Sequence, residues 1–179
     1  MSLYGEEFFV GRATTVLMSA AAVVPLIIDY LGPRSVLDIG CGKGEWVHTF
    51  VAHGVDEAFG VDISSPEGHR FMKHDLRCPL DLNRDFDLAM CLETGEHLPE
   101  DAADTLVDSC TRHAPTVVFS AAVPGQEGTG HINCQPHEYW HEKFAARGYG
   151  MSDPFRPHLA GDPRVSPWYA NNLFLYERA

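Results

Sequence analysis

The chain of 179 residues carries 25 Asp and Glu against 13 Lys and Arg, a formal net charge of −12. That balance argues against a nucleic-acid surface, which needs a positive face to displace counterions, and it disfavours anionic membranes. A hydrophobic fraction of 45% and a charged fraction of 21% describe a globular chain with room for one sizeable core and little for a second domain.

The first predicted element is a helix. Residues 16–28 form an apolar run interrupted by Ser19 and Pro25, too short to span a bilayer. Acidic Glu6 and Glu7 precede it where a secretory leader would carry positive charge. The run is expected to pack against a sheet ahead of the first strand, with Pro25 kinking or splitting it. Residues 1–31 are read as an N-terminal helical segment, in which Tyr4, Phe8 and Phe9 either close over a site as a lid or pack on the domain.

Residues 35–39 read as a buried strand that carries Asp38 and breaks into Gly40, Gly42 and Gly44, then runs into a helix over 43–53. Glycine suits such a turn because it tolerates positive φ and lets a ligand approach the backbone. Glu45 stands where a dinucleotide fingerprint needs its third glycine, so the turn is not built around a pyrophosphate. Asp38 can instead form a polar wall for a cationic or amino-bearing ligand. The next strand, 58–62, ends on Asp62, placed to accept both hydroxyls of a ribose. Only eight residues separate Asp62 from Phe71, which reduces the second crossover helix to about a turn. A short strand at 74–76 carries Asp75, which can accept from an adenine amino group.

Strands at 87–91 and 116–120 follow, with a helix opened by Pro99 between them and Ala103, Leu106, Val107 and Cys110 as its buried stripe. A helix over 138–146 and a final strand over 173–176 complete the pattern. The irregular segment 121–136 follows the fifth strand, at the edge where open α/β sheets bind ligands. A second, 152–167, contains Pro154, Pro157, Pro163 and Pro167, which stiffen an extended path. Alternating strands and helices predict an α/β, doubly wound, mostly parallel sheet in one domain over 1–179. Five cysteines, Cys41, Cys78, Cys91, Cys110 and Cys134, are an odd number without close pairing, as in a reduced, cytoplasmic protein.

The run Asp38-Ile39-Gly40-Cys41-Gly42-Lys43-Gly44, then Asp62, then Asp75-Leu76, then Phe86-Asp87-Leu88 into Leu92-Glu93, resembles the class I S-adenosylmethionine (SAM)-dependent methyltransferases. Phe119 to Ala122, Pro124-Gly125-Gln126, Gly128-Thr129, His131, Asn133, Trp168-Tyr169 and Asn172-Leu173 are similar to a group of small bacterial methyltransferases whose acceptors are poorly defined. Relatives often carry Trp where this chain has Cys134-Gln135-Pro136. The resemblance implies a Rossmann-like sheet whose last strand runs antiparallel, SAM as cofactor and S-adenosylhomocysteine as its product. It implies cofactor contacts from Asp38, Gly40, Cys41, Gly42, Gly44 and Trp46, from Asp62 and Ile63, from Asp75 and Leu76, and from Leu92 and Glu93. Tyr4, Glu96, Asn133, Trp168 and Tyr169 are expected on the acceptor side.

An alcohol acceptor benefits from a base, and His97 and His131 are the candidates because imidazole titrates near working pH; each can instead serve only to cap or brace its loop. No metal is expected: His131, Cys134, His137 and His141 have zinc-type side chains, but Pro136 separates the cysteine from the two histidines on the helix. Leu92-Glu93-Thr94-Gly95 departs from the Asn/Asp-Pro-Pro-aromatic segment of many enzymes that methylate base amines. The preferred acceptor is a small molecule, an oxygen of a sugar or natural-product intermediate, with no nucleic acid and no membrane as partner and the oligomeric state left open. A protein or peptide acceptor, or a SAM-binding subunit without turnover, are the alternatives.

Overall fold

A computed structural model describes the backbone of residues 6–179 and the side chains from Thr14 onward. Its centre is a seven-stranded sheet built from β1 (Ser35–Ile39), β2 (Glu57–Val61), β3 (Phe71–Met72), β4 (Leu88–Leu92), β5 (Thr116–Ser120), β6 (Tyr149–Ser152) and β7 (Phe174–Arg178). The spatial order is β3-β2-β1-β4-β5-β7-β6. β3, β2, β1, β4 and β5 run parallel, whereas β7 pairs antiparallel with both β5 and β6. The predicted doubly wound sheet with a reversed last strand is therefore present.

The helices are α1 (Glu6–Leu31), α2 (Glu45–Ala52), α3 (Ala103–His113), α4 (His137–Ala145), α5 (Arg156–Leu159) and α6 (Pro167–Asn172). They divide the core between the two sheet faces. Val36, Leu88 and Met90 pack with α1, α2 and α6, while Leu37, Ala89 and Cys91 pack with α3 and α4. Strand alternation sends Asp38 to the same face as Val36. The predicted stripe of Ala103, Leu106, Val107 and Cys110 is fully buried. All five cysteines are free.

Several expectations are corrected. α1 is one continuous helix through Pro25, neither split nor ended there. The carbonyl deprived of its amide partner belongs to Ala21, an exposed residue, so water can satisfy it. With 26 residues, α1 is also longer than the apolar run, and Thr14–Leu31 is long and apolar enough to cross a membrane by length and composition. Its buried Ala20, Val23, Val24 and Ile27 pack with Trp46, Val47 and Phe50 of α2. The third strand lies at Phe71–Met72, before rather than at Asp75, because only Gly60 and Val61 offer it pairing partners. The fourth strand starts one residue late, since the Asp87 carboxylate accepts the amides of Arg34 and Ser35 at 2.8 and 3.1 Å instead of pointing into a sheet face.

β6 was not foreseen. Its Tyr-Gly-Met-Ser sequence has no clean alternation, and pairing with β7 at the sheet edge decides its conformation. The prolines of 152–167 do not build an extended path either. Pro157 and Pro167 sit in the first turns of α5 and α6, where a missing N–H costs nothing. The second crossover contains no helix, in line with its length.

Phe144 on α4 is fully buried, stacked on Tyr176 with centroids 4.0 Å apart and edge-on to Phe119 at 5.3 Å. Phe144→Ala should cost about 3–5 kcal/mol in urea unfolding through the cavity it leaves.

Candidate active site

The turn from β1 to α2 is clamped to the neighbouring strand. The carbonyl of Val61 accepts the amides of Gly40 at 2.7 Å and Cys41 at 3.2 Å, and the Gly44 amide closes the turn on Cys41 at 2.8 Å. Gly40 has φ +85°, and a Cβ there would lie 2.1 Å from Thr94 Oγ1. The position therefore demands glycine for both its conformation and the close approach of the chain after β4.

Asp62 follows β2 and braces this turn. Its Oδ2 accepts the Gly42 amide at 3.2 Å, while Oδ1 accepts the amide and hydroxyl of Ser64 at 2.6 and 2.7 Å. Asp38 is only 2% exposed, and its Oδ2 has no hydrogen-bond partner. Burial, then repulsion from Asp62 and Glu45, pushes its pKa up to about 8. Beside Asp62, Ile63 is exposed, a flat apolar surface at the strand end. Cys41, Trp46, Leu76 and Leu92 are buried in the two cores. Asp75 is gripped by Arg77, whose guanidinium and backbone amide bond both carboxylate oxygens and hold its pKa at about 2. It thus reaches any adenine only with lone pairs left over from that fork.

A second group of acids stands past β4. Glu93 has φ +48°, a strained conformation for a residue with a side chain, held by its amide bonding the Ser120 carbonyl at 2.9 Å. Gln126 Nε2 donates to Glu93 Oε2 at 2.7 Å, Asn172 Nδ2 donates to Gln126 Oε1 at 2.8 Å, and His137 Nε2 meets Asn172 Oδ1 at 3.1 Å. Every link of this relay points toward the carboxylate. Burial raises the Glu93 pKa against these bonds. Glu96 is completely buried and both its oxygens lack partners. Burial first, and Glu93 second, raise its pKa to about 8. The amides of Glu96 itself and Ala122 lie near enough to ease this without reaching hydrogen-bond geometry.

The histidines named as base candidates meet here. His97 and His131 rings stand edge to face with centroids 5.0 Å apart, and His131 Nε2 is 4.0 Å from Glu96 Oε1. The loop carrying His131 is tied down by the amides of Ile132 and Asn133, which donate to the Glu96 carbonyl at 2.9 and 3.1 Å. Asn133 is buried with its Nδ2 unpartnered. Tyr169 packs edge-on against Trp46 at 5.2 Å, and its hydroxyl feels the charges of both Glu93 and Asp38. It therefore belongs to the wall between the two acid groups, with Trp168 beside it at 6.0 Å. Tyr4 lies outside the described residues, as do the side chains of Phe8 and Phe9. His137 and His141 are not part of the cluster; His141 bonds the Tyr176 hydroxyl.

The grouping of Glu93 and Glu96 with both histidines was missed as a unit. Its signal was the spacing, two acids and a histidine within five residues of a strand end.

The buried Asp38 should set a pH dependence. Its folded pKa near 8 exceeds the unfolded value near 3.8, so the stability linked to its proton is complete below pH 4 and is lost as pH rises through 8. Asp38→Asn should therefore unfold at higher urea than the parent, by roughly 2–4 kcal/mol at pH 8 and by little at pH 4. Equal stabilities at pH 8 would remove the strain assigned to this carboxylate.

The methyltransferase domain family matches residues 20–152. A search of curated proteins returns no match. Among solved structures, a sugar N-methyltransferase from Streptoalloteichus superposes with a TM-score of 0.71 at 21% identity, over 99% of this chain and 96% of that one. An amino pentose methyltransferase from Micromonospora echinaspora, solved with SAM bound, gives 0.70 at 17% identity over 100% and 99%. A TehB-like SAM-dependent methyltransferase from Corynebacterium glutamicum gives 0.66 at 17% identity over 97% of each chain. At these identities the likeness is one of fold, and the family match extends it to the domain itself. With the strand order and the glycine turn, these findings show that the chain belongs to the methyltransferase domain family, as a class I SAM-dependent enzyme.

Proposed function

We propose that this methyltransferase acts on a small molecule, methylating an oxygen of a sugar or natural-product intermediate. The observation that carries the reading is the recessed cluster past β4. Glu96 is wholly buried and the His131 side chain only 11% exposed, which favours a slender acceptor over a folded macromolecule. The acidic net charge supports the same choice against nucleic acid. A cytoplasmic setting goes with it, supported by the packing of α1 on the core and by the five free cysteines.

The cofactor end fits SAM. Asp38 holds a buried, unpartnered oxygen suited to the amino group of the cofactor, and Asp62 has lone-pair capacity for ribose hydroxyls while it braces Gly42. Ile63 offers its exposed side chain to the adenine face. SAM supplies, when bound, a methyl group activated on a sulfonium. The protein has to exclude water and hold the acceptor oxygen in line with that methyl, and positioning of this kind is worth several kcal/mol. Tyr169 and Trp46 close the wall between the two ends. As the acceptor oxygen takes the methyl, its hydroxyl proton must leave, and the groups present to receive or loosen it are His97, His131 and Glu96.

A second reading, methylation of an amine on an amino sugar, is favoured by the two structural neighbours described as sugar N- and amino pentose methyltransferases.

Asp62→Ala should weaken S-adenosylhomocysteine binding by about 1–3 kcal/mol in calorimetry, since both ligand and turn lose hydrogen bonds; unchanged affinity would remove Asp62 from the ribose. Incubated with methyl-labelled SAM and a size-fractionated host extract, the enzyme should place label in the small-molecule fraction. Label in protein or RNA would reject the proposed acceptor class.

A further inference from the structure

The cluster past β4 is made almost entirely of lone pairs. Three carboxylate oxygens, Oε1 of Glu93 and both of Glu96, are buried without a hydrogen-bond partner. His131 Nδ1 lies 3.1 Å from the Gln126 carbonyl, and His97 Nδ1 lies 3.2 Å from the Gly130 carbonyl. A carbonyl only accepts, so both rings donate from Nδ1 and carry their lone pair on Nε2. One ligand atom from each of Glu96, His97 and His131 lies within 4.8 Å of the others. These buried carboxyl oxygens, turned toward the imidazole lone pairs, are lone-pair donors that no hydrogen bond claims.

We propose that Glu96, His97 and His131, with Glu93 alongside, bind a first-row divalent cation at the acceptor end of the active site. A mixed imidazole and carboxylate set suits Mn²⁺, Fe²⁺, Co²⁺ or Zn²⁺ better than Mg²⁺. A metal-binding imidazole usually donates its other N–H to a carbonyl or carboxylate, and both rings already do so, to the same loop. Gly128 keeps the space open: a Cβ there would stand 2.1 Å from His131 Nε2. Neighbouring donor atoms around one such cation stand roughly 3–3.5 Å apart, so the cluster needs to contract by less than about 2 Å.

The proposal departs from the expectation that no metal is bound. It rests on the methyltransferase reading and sharpens it. Three or four protein donors leave a coordination position for an acceptor oxygen, whose hydroxyl proton is made more acidic there and passes to solvent water as the oxygen takes the methyl. The two histidines thereby become cation ligands instead of competing bases.

The test uses the full chain stripped with a chelator and titrated with Mn²⁺, free ion being counted by electron paramagnetic resonance. S-adenosylhomocysteine binding is measured on the same samples. One Mn²⁺ per chain is expected, with Glu96→Gln and His131→Ala each weakening it at least tenfold while S-adenosylhomocysteine affinity stays within about threefold. Co²⁺ should give a visible absorption that the same variants alter. Retained S-adenosylhomocysteine binding without saturable uptake of Mn²⁺, Co²⁺, Fe²⁺ or Zn²⁺ would overturn the metal site alone, as would Mn²⁺ binding indifferent to both substitutions. Loss of both ligands in the parent chain would overturn the methyltransferase reading together with it.

Discussion

The carbonyl oxygen of Val61 accepts two amides, from Gly40 and Cys41, and the whole ligand-binding edge is referenced to that clamp. It holds the end of β1 against the end of β2, which sets Asp38 and Asp62 close enough to repel. Parallel pairing of β1 with β4 carries the same reference across to Glu93 and the turn that bears Glu96 and His97. The clamp is backbone to backbone, so the side chains around it are released for ligands. Only glycine at position 40 allows it, because Thr94 presses on that carbon.

The sheet edge thus collects negative charge in two compartments that share one wall. Asp38 and Glu96 are both buried with unpartnered oxygens, and burial dominates the upward shift of each. Such carboxylates oppose folding unless something positive joins them. In the proposed reading a cofactor amine answers the first compartment and a divalent cation the second. Tyr169 senses the charge of both Asp38 and Glu93 and so adjoins both compartments. The stability lost at this edge is recovered in two well-packed cores on either side of the sheet.

The glycine turn and the acids beside it were legible in the sequence because their geometry is local. A strand, a glycine turn and an acid at the next strand end need only a few contiguous residues to be recognised, and Asp38, Gly40 and Asp62 occupy the expected places. Asp75 was harder, since Arg77 two residues later competes for its carboxylate and β3 ends before it. The cluster past β4 depends on contacts between distant segments. That His131 reaches Glu96 follows from the loop amides bonding the Glu96 carbonyl across 36 and 37 residues of chain, which no spacing rule encodes. β6 was hidden for a similar reason: its partner, β7, supplies the order that its own sequence lacks.

The hydrogen-bonded relay from His137 through Asn172 and Gln126 to Glu93 has a consequence for how this chain can vary. Each amide has one donating and one accepting end, so the orientation of any member dictates the rest. Gln126 and Asn172 are 46 residues apart, and Asn172 and His137 are 35 apart, yet their orientations form a single unit. Drift at one of the three strands the others with unmatched partners, and tolerated change has to arrive as compensated sets.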